Sequence, residues 1–208
     1  MNLEESIEKG CNYLISQQNE DGSICLDNDR TWDVWETANS YLALFNPEMP
    51  KNKNLEKAIN FICKSMRVDG SFFVSSIYRK HDFCMETTPN CILCLYYAKK
   101  DYRKSLNFVL DKQFENGHWE IGIPDIYKYK DFPSVTGFNL NMLLKIGLHG
   151  DYTQNALNWV LNNQREDGSW GSHFIYYNSP YYPMCSIMPT LNLLGFSDSI
   201  NYKKAKSF

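Results

Sequence analysis

The chain has 208 residues, 43% of them hydrophobic and 22% charged, a balance that suits one folded domain and excludes a disordered segment. Its net charge of −3 and pI near 5.8 exclude the basic footprint of a nucleic-acid binder, and no run of Lys and Arg would hold it to an anionic membrane. Seven cysteines, an odd number without a secreted-type framework, predict reduced thiols in a cytoplasm.

The acidic start Asn2-Leu3-Glu4-Glu5 leads directly into a helical pattern, so no signal peptide is expected. No stretch reaches the roughly 18 apolar residues of a membrane span. From here the same pattern recurs four times, over residues 10–18, 58–66, 105–113 and 156–164. Each copy has a small residue, then an apolar residue or Cys, an Asn, an aromatic and an aliphatic. A glycine follows four residues after each copy: Gly22, Gly70, Gly117 and Gly168. Agreement at so many aligned positions identifies an internal repeat of about fifty residues.

Within each copy the first helix carries one apolar stripe, as at Leu157, Val160 and Leu161. It stops at Asp21-Gly22, Asp69-Gly70, Asn116-Gly117 or Asp167-Gly168, where glycine takes the left-handed conformation that ends a helix. After a loop of variable length comes a second, more apolar helix, predicted at residues 35–45, 85–98, 134–146 and 185–194. An amphipathic helix alternating with an apolar one predicts an all-α array with the second helices inside. The repeats run over about 3–49, 50–99, 100–148 and 149–197 of a single domain, with a short tail at 198–208. The repeated Asn12, Asn60, Asn107 and Asn158 are expected to hydrogen-bond backbone at inter-repeat contacts.

The glycine turns carry a further signature. Residues 113–119 and 164–170 fit Q-x-x-x-G-x-W, 18–24 keeps Gln and Gly with Ile24 for Trp, and 66–72 keeps the glycine and an aromatic, Phe72. This resembles the QW motif of squalene and oxidosqualene cyclases, related to repeats of protein prenyltransferase β subunits. The resemblance implies an α/α toroid, and in that family Gln and Trp stack and tie neighbouring outer helices together. Asp33-Val34-Trp35-Glu36-Thr37-Ala38 is similar to the D-x-D-D-T-A stretch of class II terpene cyclases. There the middle aspartate delivers the proton that starts cyclisation; here that place is Trp35, with Asp33 and Glu36 at the flanking acids. Toroids of the family carry more helix pairs than four. This one is therefore small and tight, open on one side, or completed by another chain, a homodimer included.

Acids recur where the inner helices begin: Asp33, Glu36, Asp82, Glu86 and Asp131. Carboxyls there can act as general acids or can cap the helix N-termini. Glu36 and Glu86 are expected at equivalent positions, each before a Thr (Thr37, Thr87), and with Asp33 and Asp82 form the candidate catalytic set. Aromatic residues are 15% of the chain. Trp32, Trp35, Tyr127, Tyr177, Tyr181 and Tyr182, with Tyr129, Phe132 and Tyr176, either line a ligand cavity or plug the barrel. Asp82-Phe83-Cys84 resembles the D-x-C pair that holds zinc in protein prenyltransferases, with His81, His118 or His173 as a third ligand; otherwise no cofactor is expected. Cys91 and Cys94 read as core cysteines.

Three functions follow. The first is a small cyclase that binds an apolar, isoprenoid-like molecule and rearranges it by acid catalysis. The second is a non-catalytic module holding a lipid or peptide, and the third a zinc-dependent alkyl transferase. Chemistry is expected where the inner helices start, because loops there vary without unpacking the core.

Overall fold

A computed structural model describes residues 2–26, 28–46, 52–78, 82–123, 133–171, 179 and 181–208. Among them are nine α-helices, a short 3-10 turn at Phe196–Asp198 and one isolated antiparallel bridge, Gln18 to Ile24. Contacts divide the chain into two compact units, Met1–Ser105 and Leu106–Phe208.

The first unit contains α1 (Leu3–Ser16), α2 (Asp33–Leu44), α3 (Lys53–Ser65), α4 (Thr87–Tyr97) and the start of α5 (Arg103–Asp111). Helix α1 begins at a capping box in which Asn2 and Glu5 satisfy each other's N–H groups. Helix α3 turns Ala58, Ile59, Phe61 and Ile62 inward, while α4 is buried at every residue from Thr87 to Leu95. Outer and inner helices therefore differ as the two apolar patterns predict. Helices α2 and α4 lie side by side: Asn90 donates to the Asn39 side-chain oxygen at 3.2 Å, and the Cys94 thiol to the Ala38 carbonyl at 3.4 Å.

The second unit holds the rest of α5, then α6 (Pro133–Lys145), α7 (Asp151–Asn162), α8 (Met184–Leu193) and α9 (Ile200–Ser207). Inner helices α6 and α8 approach closely at Gly137, where a Cβ would stand 2.3 Å from the Ser186 hydroxyl. Asn141 adds a 2.9 Å hydrogen bond to Thr190. The stretch 198–208, expected as a tail, carries helix α9.

One turn recurs four times within these units. In each, a glycine closes a tight loop: Gly22, Gly70, Gly117 and Gly168 have φ between 93° and 96°, which side chains rarely tolerate. These glycines do not themselves end the helices as expected, because the helices stop earlier, at Ser16, Ser65, Asp111 and Asn162. Asp21, Asp69 and Asp167 accept from the N–H and hydroxyl of the serine two residues on. In the third turn Asn116 and His118 replace this pair, and the His118 ring nitrogen bonds the Asn116 oxygen. Each glycine is also pressed against the next outer helix. A Cβ would fall 2.2–2.6 Å from the carbonyl oxygens of Lys57, Lys104, Asn155 and Lys204 respectively. Only hydrogen fits there.

The glutamine of the repeat spans the same junction. Gln18 donates to the carbonyls of Gly22 and Asn54, Gln113 to those of Gly117 and Tyr152, and Gln164 to those of Gly168 and Asn201. The tryptophan ties inward instead: Trp119 and Trp170 are fully buried, and their indole N–H groups donate to Val109 and Val160 of their own outer helices. Ile24 and Phe72 fill the same place in the first two turns. The repeated asparagines do not hold these junctions. Asn12, Asn60, Asn107 and Asn158 are exposed, and Asn158 bonds the side chain of Gln154. The expectation of buried inter-repeat bonds is wrong for them, because they sit on the solvent face of the outer helix.

Candidate functional site

The register of the inner helices is set by a threonine. In three of the four repeats the N–H two residues after the turn glycine, at Ile24, Phe72 and Trp119, donates to Thr37, Thr88 and Thr136 respectively. Thr37 and Thr88 also donate to the carbonyls four residues back, Asp33 and Cys84. Equivalent positions therefore pair Thr37 with Thr88, not with Thr87. Glu36 corresponds to Thr87, and Glu86 corresponds to Trp35. The expected equivalence of Glu36 and Glu86 is off by one, because the Thr87-Thr88 pair offers two alignments and only the hydrogen bonds choose between them.

Asp33 opens α2 and is completely buried. Its two oxygens accept from the Ser76 N–H at 2.7 Å, the Ser76 hydroxyl, and the Arg30 guanidinium at 3.1 and 3.0 Å. Arg30 also grips Asp21 at 2.7 Å, so one cation joins the first turn to the start of α2. Burial acts to raise the Asp21 carboxyl, but the Ser23 hydroxyl and N–H together with Arg30 outweigh it and leave it below its ordinary value. Arg30 itself has φ 53°, and its carbonyl accepts from Ser75 at 2.9 Å. The Val74 carbonyl accepts from the first N–H groups of α2, Val34 and Trp35. Residues 74–76 are thus clamped onto the N-terminus of α2.

The other acids stand nearby in the chain but in different settings. Glu36 is half-buried and accepts from the Leu26 N–H at 3.0 Å. Glu86, next to the first residue of α4, is 1% exposed. Cys84 is buried beside it, and its thiol is pushed up to about 11 by burial, with the charge of Glu86 adding to the effect. Asp82 is half-buried and acts on Arg67, whose guanidinium burial pulls down. Trp32 is 36% exposed and Trp35 half-buried at the head of α2.

In the second unit Tyr181 is largely exposed with its ring 5.3 Å from that of Phe208, and Tyr182 lies 6.1 Å from Phe138. Tyr127, Tyr129, Asp131, Phe132, Tyr176, Tyr177, His81 and His173 lie outside the described residues. His118 is a turn residue, stacked between Phe114 at 4.6 Å and Trp159 at 5.6 Å. Of the D-x-C pair, Cys84 is buried and Asp82 half-buried, and among the described residues no three of His, Cys, Asp and Glu gather as metal ligands.

The sequence reading passed over the residues that surround Asp33. A cleft of about 400 Å³ is lined by Asp21, Phe61, Lys64, Arg67, Ser76 and Tyr78 among others. Its Lys64, Arg67 and hydroxyls suit a polar or anionic group. The one legible signal was Arg30, three residues before Asp33 at a helix start. Ser75 and Ser76 gave none, since Ser75 reaches the Arg30 carbonyl across 45 residues of chain and Ser76 reaches Asp33 across 43.

No family model matches the chain, and no curated protein matches it. Solved structures do. A protein from Actinoplanes superposes with a TM-score of 0.71 at 12% identity, over 98% of this chain and 64% of that one. The type II terpene cyclase MstE from Scytonema, in complex with merosterolic acid A as product, gives 0.73 at 14% identity over 98% and 63%. The same enzyme in complex with geranylgeranyl dihydroxybenzoate as substrate gives 0.73 at 15%, over 98% and 62%. The chain spans less than two thirds of the length of these structures. Similarity at this level establishes the architecture: the fold of this chain is an all-helical α/α toroid of the kind those terpene cyclases have.

Proposed function

We propose that the chain binds an apolar, isoprenoid-like molecule and cyclises it by protonating a carbon–carbon double bond, with Glu86 as the acid. The observation that carries this reading is the register. Glu86 stands in the second repeat at the place that the cyclase-like stretch assigns to its proton donor, a place taken by Trp35 in the first. Its carboxyl is withdrawn from water at the start of an inner helix, where an acid can meet an apolar ligand without competition from solvent. Asp33, whose oxygens are occupied as acceptors, holds the loop that forms the wall, and Glu36 holds Leu26. Trp32 and Trp35 offer ring faces to a developing cation, and the cleft beside Lys64 and Arg67 suits a polar head group.

In such a step the Glu86 proton adds to the terminal alkene. The resulting cation is attacked by an internal double bond, and loss of a ring proton returns an isomer of unchanged mass. The test is incubation with geranylgeranyl dihydroxybenzoate and with shorter linear isoprenoids, followed by mass spectrometry and chromatography for cyclic isomers. Wild type is expected to form them in the presence of a chelator, and Glu86→Gln to lose them by at least about a hundredfold while keeping its circular dichroism. Turnover surviving in Glu86→Gln removes the acid assignment. Ligand retention without any isomer supports the non-catalytic module instead, and inhibition by the chelator supports the zinc transferase.

A further inference from the structure

Four outer helices bury a small residue near the turn before it: Ser105 at Gly70, Ala156 at Gly117, Ala205 at Gly168, and Ala58 next to Lys57, which meets Gly22, none more than 2% exposed. Among the described residues no turn lies on the matching surface of helix α1. Aligning residues 10–18 with 58–66 puts Gly10 at the small position, and a Cβ there would meet nothing within 4 Å. Ile7 takes the place of Leu55, and Leu14 that of Ile62. Leu3, Ile7, Gly10 and Leu14 follow one another at spacings of four, three and four, which is a single stripe of a helix. Leu3 is 75% exposed and Ile7 57%, while the helix as a whole buries no residue.

The fourth turn presents the complementary half. It receives α9, which stands where the outer helix of a fifth repeat would stand: Gln164 donates to the Asn201 carbonyl as Gln18 does to that of Asn54. Helix α9 is a light occupant, eight residues long with only Ala205 buried.

We propose that α1 is a docking helix for the 164–168 turn of a second copy of this chain, and that α9 competes for that turn from within its own chain. The occupant is argued from the chain's own junctions, since the open helix and the capped turn carry the two halves of a contact made four times already. The helix belongs to the first repeat and the turn to the fourth, so the contact joins unlike surfaces and grows head to tail. In a single copy α9 prevails because its tether gives it a high effective concentration, as a capping helix that keeps a repeat array from extending. The inference is independent of the cyclase reading.

The experiment releases α9 in the full-length chain. Ala205→Arg places a long charged side chain in the contact with Gly168. By light scattering, wild type is expected to be monomeric, and Ala205→Arg to assemble at concentrations at least about tenfold lower than any association of wild type. Adding Gly10→Glu should return the variant to monomer, whereas Gly10→Ala, which copies Ala58, should not. Excess wild type, with α1 open but its own turn filled, should stop growth and give one-to-one complexes in native mass spectra. Asn201→Leu, which gives up the 2.8 Å bond to Gln164, is a gentler release expected to act in the same direction. A helical Ala205→Arg or Asn201→Leu protein that stays monomeric overturns the proposal, and so does association that Gly10→Glu leaves unchanged.

Discussion

Two glycines of the same chain should respond to alanine in opposite ways. Gly168 has φ 93° and a methyl group there would lie 2.3 Å from the Lys204 carbonyl oxygen. Gly168→Ala is therefore expected to destabilise the fold by at least about 2 kcal/mol. Gly10 lies within α1 with open space around it, so Gly10→Ala should stabilise by about 0.5–1 kcal/mol through helix propensity alone. Thermal denaturation of the two variants checks both signs. Asp21 makes a pH prediction. Its carboxyl is depressed in the folded state, so its contribution is present above the ordinary value of 3.8 and lost as pH falls below it. Asp21→Asn should then flatten the fall in melting temperature below about pH 4. The third turn shows that the amide is tolerated, since Asn116 serves there.

At the level of the element, the junction glutamine is expected to matter more than its exposure suggests. Gln164→Leu removes donors to both Gly168 and Asn201 and should cost about 1–2 kcal/mol. Hydrogen exchange should show the loss concentrated in α9, with α6 protected as before. The helices themselves were legible in the sequence to within two residues at the inner-helix starts, because apolar periodicity is a local signal; the Asp/Asn-Gly pairs mark the turns and lie beyond the outer-helix ends. The junctions were half legible. A repeated Gln and a repeated Asn look equally structural in a sequence, and only the direction in which each leaves its helix separates the bridging Gln from the solvated Asn. The candidate site was least legible. Its acids could be found by composition, but the clamp on Asp33 is made by Ser76 from across a loop, and the register of Glu86 depends on which of two adjacent threonines accepts from Phe72.

For the whole molecule, a chain made of nearest-neighbour junctions draws its stability from a sum of similar contacts. The division into units Met1–Ser105 and Leu106–Phe208 falls within α5, so each unit has junctions of its own: the first keeps the Gly22 and Gly70 turns, and the second the Gly117 and Gly168 turns. Their tryptophans are distributed unevenly. The second unit encloses Trp119 and Trp170 completely, each with its indole N–H bound to a carbonyl, and sets Trp159 against the His118 ring. The first has only Trp32, at the surface, and half-buried Trp35. The protein thus carries its own optical labels: blue-shifted emission belongs to the C-terminal half and red-shifted emission to the N-terminal half. A change at the blue edge of its fluorescence during unfolding marks the moment the C-terminal half lets in water, without any dye attached.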